Sequence, residues 1–167
     1  MRFFGDIFFL RIFAASNYIT LDFKYHSFIK YSIYMQHWIF ISSTKRFRMS
    51  DWLAENDVVE YEQRNKICVN DIVYLYTTAP VQRIEYKMIV EKIDIPWEGT
   101  IDDSRFSLLT SPNRYVQKSV RLRLLEKVET PLLHLTELRK YGLKSSMQSH
   151  FKISGELLDY IESFFEK

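Results

Sequence analysis

The clearest strand pattern in the chain is an apolar run bounded by polar residues, "NDIVYLYTTAP", Asn70 to Pro80. Ile72, Tyr74 and Tyr76 fall on one face there and Val73, Leu75 and Thr77 on the other, the two-residue period of a strand. Ala79-Pro80 ends the run, because proline has no N–H to give to a ladder. "EYKMIVEKIDI", Glu85 to Ile95, is a second strand; it stops at Pro96 and pairs with the first as a hairpin through residues 78–84. "SVRLRLLEKV" alternates again, with Val120, Leu122 and Leu124 inward against Arg121 and Arg123 outward. His37–Ser42 is a short apolar run, the pattern of a strand buried on both faces.

Helical signals lie between and after these strands. "MSDWLAEN" offers Ser50 as an N-cap with Asp51 in the first turn. Thr130-Pro131 starts a second helix that runs to about Tyr141, where Gly142 ends it. A third helix begins near Ser154 and sets Leu157, Leu158, Ile161, Phe164 and Phe165 on one stripe. Strand, helix, several strands, then two helices predicts an α+β fold. Its sheet is mostly antiparallel, curled toward a small barrel and flanked by short helices.

Composition adds limits. The 167 residues suit one domain, 47% apolar and 26% charged, the balance of a globular chain. Residues 1–35 read differently. "MRFFGDIFFLRIFAAS" has the positive start and apolar stretch of a signal peptide, but Asp6 and Arg11 interrupt it, and it is too short and charged to span a membrane. A weak export signal, an extra packed element and residues translated from an upstream start all compete. The last is preferred, with Met35 as initiator and the domain at 36–167. Cys68 is the only cysteine, so no intrachain disulfide forms; between Ile67 and Val69 it is expected to be a buried structural thiol in a cytoplasmic protein.

The net charge of +2 does not mark the whole chain as a nucleic-acid binder. Basic clusters at Lys45, Arg46 and Arg48, at Arg64 and Lys66, and at Arg121 and Arg123 suit either solvated faces or phosphate contacts. Aromatics at 16% exceed what a core demands, and flat rings stack on bases. There is no Gly-rich phosphate loop, no Cys or His pair at metal spacing and no nucleophile elbow, so no cofactor or metal is expected. His26, His37, His134 and His150 are far apart in sequence. Asp71 followed by Glu85-Tyr86-Lys87 has the shape of the Asp…Glu-x-Lys signature of metal-dependent nucleases, where two carboxylates hold the ion and the lysine steadies the attacking water. Asp71 as a turn residue, and Glu85 and Lys87 as the polar face of a strand, explain the same letters.

From Trp38 onward the chain resembles the EVE domain, a PUA-like module related to YTH and ASCH domains. "HWIFISSTKRFRMSDWL" is similar to the family's opening strand, its polar Ser-Ser step and the helix after it. "YEQRNKICVNDIVYLYTTAP" resembles the segment before and through Val-Gly-Asp-x-Val-x-x-Tyr, with Asn70 in place of the glycine. "EYKMIVEKIDI" and the tail "LLHLTELRKYGLKSSMQSHFKIS" complete a likeness over residues 36–167.

The resemblance implies a PUA-like fold and a non-enzymatic reader that holds a modified base, such as a modified cytosine in DNA, in an aromatic pocket. Ser42 and Ser43 match the family's polar step at the pocket. Trp52, Tyr61, Tyr74 and Tyr76 are candidate walls, and Trp97 a closure from above; Trp38 and Trp52 suit a core equally well. Lys45, Arg46, Arg48 and Arg64 are candidate phosphate contacts. The partner is nucleic acid, with a nuclease supplying cleavage in a restriction or defence system. The alternatives are a metal-dependent nuclease using Asp71, Glu85 and Lys87, or a PUA-like RNA-binding protein.

Overall fold

The structure is a computed structural model that describes residues 35–96, 100–109, 118–144 and 147–165. By its internal contacts the chain divides into Met1–Met35 and Gln36–Lys167, and all the described strands and helices belong to the second unit. Six strands form one sheet: β1 (His37–Ser42), β2 (Val58–Glu62), β3 (Ile72–Thr77), β4 (Arg83–Pro96), β5 (Lys118–Lys127) and β6 (Phe151–Ile153). Their spatial order is β2-β5-β4-β3-β1-β6. Among the described strands only β1 and β3 run parallel; β4 returns from β3 as the expected hairpin, and β5 pairs with β4 antiparallel. Helices α1 (Met49–Glu55), α2 (Leu135–Lys140) and α3 (Glu156–Glu162) are short.

The sheet is strongly curled. Phe40 on β1 and Tyr61 on β2 stand four places apart in the strand order, yet their rings meet edge to face at 5.5 Å. A flat sheet at about 4.8 Å per strand would hold them roughly 19 Å apart. The concave face therefore closes into a half-barrel. Its core is Trp38 and Phe40 of β1, Val73 and Leu75 of β3, Tyr86, Met88 and Val90 of β4, and Val120 and Leu122 of β5, with Trp52 of α1 packed on them. The other side chains of the same strands, Ile39, Ile72, Tyr74, Tyr76 and Ile84, face outward beneath Leu138 of α2, Leu157 and Ile161 of α3, and Phe165 just beyond α3. The two-residue alternation in β3 thus separates two cores, as its pattern predicts.

Several local expectations need correction. Ser50 is not the cap of α1: the helix begins at Met49 behind Arg48, which makes no side-chain cap bond, and Ser50 sits in the first turn facing the Tyr86 hydroxyl. The helix expected from Thr130 to Tyr141 is broken in two. Thr130 Oγ1 accepts the Leu132 N–H over a 3₁₀ turn, Pro131–Leu133; His134 then turns extended and caps α2 itself. Cys68 is exposed rather than buried, because Ile67 takes the inward position in its turn and the Cys68 N–H donates to Asp71. Asn70 does adopt the left-handed conformation, at φ 73°. Among the described residues no helix is long and apolar enough to cross a membrane.

Candidate functional site

β1 sets Trp38, Phe40 and Ser42 on the concave face at the spacing of a strand, so the run ends with a hydroxyl where the apolar stack stops. Ser42 is 3% exposed. The polar step beyond it is a tied turn: Thr78 N–H donates to the Ser42 carbonyl, Arg46 N–H to the Ser43 carbonyl, and Thr44 N–H to Thr78 Oγ1 at 3.1 Å. Lys45 and Arg46 stand exposed on its crest, and their side chains have no partner among the described residues.

Two further segments complete this end of the half-barrel. β2 brings Tyr61, and the residue before β6 brings His150. The His150 imidazole stacks on Phe40 with ring centroids 4.0 Å apart and planes 10° from parallel, and the Tyr61 ring stands edge-on to it at 5.7 Å. His150 Nδ1 accepts the Ile41 N–H at 3.0 Å, which assigns the ring proton of the neutral form to Nε2. Burial pushes the imidazole down to about 4, the Arg64 charge adds to the shift and Glu62 opposes it. Tyr61 Oη is buried, and burial raises its pKa. The Ser42 hydroxyl lies within reach of it, but no hydrogen bond of normal geometry joins them. A buried hydroxyl in that state calls for a partner.

The structure therefore gathers Ser42, Ser43, Tyr61 and Arg64 at one place. It does not gather the other candidates there. Trp52 is a core residue: its indole N–H donates to the Val58 carbonyl, and its ring meets Phe106 and Phe47 in edge-to-face contacts. Tyr74 and Tyr76 lie on the opposite, helix-covered face of the sheet, with the Tyr74 hydroxyl donating to Glu162. Trp97 lies outside the described residues. Arg48 is occupied locally, bonding the Arg105 carbonyl and lying over the Phe106 ring. Arg64 is exposed and pairs with Glu62.

Sequence reading missed Phe40 and His150. Phe40 is legible only once the curl brings β1 and β2 together. His150 follows from the antiparallel register of β6, in which Lys152 lies opposite Trp38 with its ammonium 5.1 Å from that ring. Since β6 has three residues, no periodic signal announces it.

The nuclease-like residues are separated. The Asp71 carboxylate is buried and accepts the Gln36 N–H at 2.9 Å, the Trp38 Nε1–H at 3.0 Å and the Cys68 N–H at 2.9 Å. Glu85 accepts from Thr77 Oγ1 at 2.6 Å and from the Arg83 guanidinium at 2.9 Å. Val90 N–H bonds the Asp71 carbonyl, so Glu85 lies five residues along β4 from that point, roughly 16 Å of strand. Two carboxylates sharing a cation must each come within about 2–2.6 Å of it. Lys87 points to the helix-covered side, 3.2 Å from Glu162. Among the described residues no cluster of three or more His, Cys, Asp or Glu is placed to hold a metal ion.

No family model matches the chain, and no curated protein sequence does. Solved structures do match. The ASCH protein of Zymomonas mobilis is 13% identical, with 77% of this chain and 94% of that one covered at a TM-score of 0.57. Human THYN1 protein, solved in complex with DNA containing 5-methylcytosine, is 14% identical, with 79% of this chain and 98% of that one covered at a TM-score of 0.55. At such identity the likeness is one of fold: the curled sheet with short helices is PUA-like, as in those two proteins.

Proposed function

We propose that this protein is a nucleic-acid reader that holds a modified base at the Ser42–Tyr61 end of its half-barrel. The carrying observation is the buried Tyr61 hydroxyl, without a hydrogen bond of normal geometry among the described residues, beside Ser42, a ring stack and Arg64, with Lys45 and Arg46 exposed on the turn that follows Ser42. Extruding a base costs a few kcal/mol, which ring stacking and edge hydrogen bonds must return. Stacking contributes about 1–3 kcal/mol per base, and a hydroxyl with no hydrogen bond of normal geometry among the described residues is ready to bond the base edge. The DNA bound by THYN1, which shares this fold, supports methylcytosine as the first modification to test. The EVE-like motifs support the narrower reading of a recognition module in a restriction or defence system, with cleavage supplied by a partner nuclease.

Short duplexes with and without one 5-methylcytosine, and the matching RNA, titrated by fluorescence anisotropy, test this. The modified DNA is expected to bind more tightly, and Tyr61→Ala is expected to weaken it about tenfold, the loss of one edge contact. Equal affinity for modified and bare DNA, unmoved by Ser42→Ala and Tyr61→Ala, sinks the reading. Preference for RNA of the same modification state redirects it to RNA metabolism.

A further inference from the structure

The His150 imidazole lies where a planar ligand would lie. It is flat on Phe40 at 4.0 Å, edged by Tyr61, and its Nδ1 takes the Ile41 N–H as a ring nitrogen or carbonyl of a base could. Phe40 is 2% exposed with this ring in place, so its face is free for stacking only when the imidazole leaves. The ring belongs to no strand; it immediately precedes a three-residue edge strand. Meanwhile the Tyr61 hydroxyl beside it has no hydrogen bond of normal geometry among the described residues, so the present occupant satisfies the seat incompletely.

We propose that His150 is the built-in occupant of the base seat, filling the stacking position on Phe40 in the free protein and swinging out as a base enters. This rests on the function proposed above and deepens it. The ligand is then a planar heteroaromatic base with an acceptor on its edge, which takes over the Ile41 N–H and gives the Tyr61 hydroxyl its missing bond.

Displacement changes the imidazole's surroundings. Seated, burial holds it at about 4; the groups facing it are Arg64, Glu62 and the Tyr61 hydroxyl, with Lys152 two residues further along its own segment. Swung into water it returns toward about 6.5, the ordinary histidine value. The bound state then holds more protons than the free state below that value, so binding tightens as pH falls. Between about pH 7.5 and about pH 5.5 the expected gain is about tenfold. Arg64, whose pKa its pairing with Glu62 raises, stays charged through that window.

The test uses the full chain, a short duplex carrying one 5-methylcytosine, and the variants His150→Ala and His150→Phe at both pH values. Wild type is expected to gain about tenfold at the lower pH. His150→Ala, with the seat vacant, is expected to bind several-fold tighter than wild type at about pH 7.5 and to lose the pH dependence. His150→Phe keeps a ring in the seat without a proton to take up, so it binds no tighter than wild type and shows no slope. By NMR, the His150 titration is expected to move from about 4 in the free protein toward the ordinary histidine value in the complex. Weaker binding by His150→Ala makes the ring a wall; that overturns this proposal and leaves the reader function standing. A wild-type pH slope surviving in either variant overturns it too, and His150→Phe decides the matter if His150→Ala fails to fold. A duplex ignored by all three proteins at both pH values overturns both proposals.

Discussion

The Tyr61 hydroxyl and the Asp71 carboxylate are both buried polar groups, with opposite expectations on substitution. A buried hydroxyl without a partner costs about 1–3 kcal/mol, and the Tyr61 hydroxyl is in that position. Tyr61→Phe is therefore expected to raise the denaturant midpoint, by about 1 kcal/mol of stability, while weakening the modified duplex about fivefold. Urea unfolding and anisotropy on the same sample check the two signs; a variant that loses stability would place an unseen bond on that oxygen. Asp71 is fully bonded, to Gln36, Trp38 and Cys68. Asp71→Asn sets an amide N–H₂ against one of those donors and is expected to cost about 2 kcal/mol, read by the same unfolding curve. At this scale sequence is a fair guide to chemistry. The letters around Asp71 allow a structural turn residue, but nothing local says that Trp38 reaches back to it across 33 residues.

At the scale of elements, α3 enters through Gly155 at φ 63° and ψ −146°, a region that residues with a Cβ avoid. A Cβ there would meet nothing within 4 Å, so sterics with neighbours do not oppose it. Gly155→Ala is still expected to cost about 1–3 kcal/mol, from backbone strain alone; thermal unfolding measures it, and an unchanged midpoint would show that α3 starts differently. The strands with strong alternation, β3, β4 and β5, are legible because each buries both faces or one face cleanly. β2 and β6 are not, since "VVEYE" and "FKI" are too short to carry a period, and only pairing with β5 and β1 makes them strands. The candidate site suffers for the same reason. Tyr74 and Tyr76 are conspicuous in the alternation and lie on the wrong face for Ser42, whereas Tyr61 and His150 sit on the inconspicuous strands or their margins.

For the whole molecule, pH is the sharpest probe. His37, the first residue of β1, lies against the Tyr74 hydroxyl and faces Glu162, Lys87 and Asp71, and burial lowers its pKa before any of those charges act. A histidine lowered in the folded state is kept neutral by folding, so its stabilisation is full above about 6.5 and is lost as pH falls below that value. The thermal midpoint is expected to drop as pH falls from about 7.5 to about 5.5, and less so in His37→Phe. His150 adds a loss of the same sign, limited to what it takes to open the site. A flat midpoint in the wild type would mean that His37 is already solvated.

The hydrogen bond from Ile41 to His150 joins residues 109 apart in the chain. β3, β4 and β5 follow one another in sequence and pair as neighbours, so that meander can assemble from local contacts. The filling of the seat on Phe40 cannot. It waits until the segment carrying His150 closes against β1, a long loop whose entropy must be met late. A partly folded chain can thus own most of the sheet and hold the seat open, and the arrival of the imidazole on Phe40 marks the last step of folding.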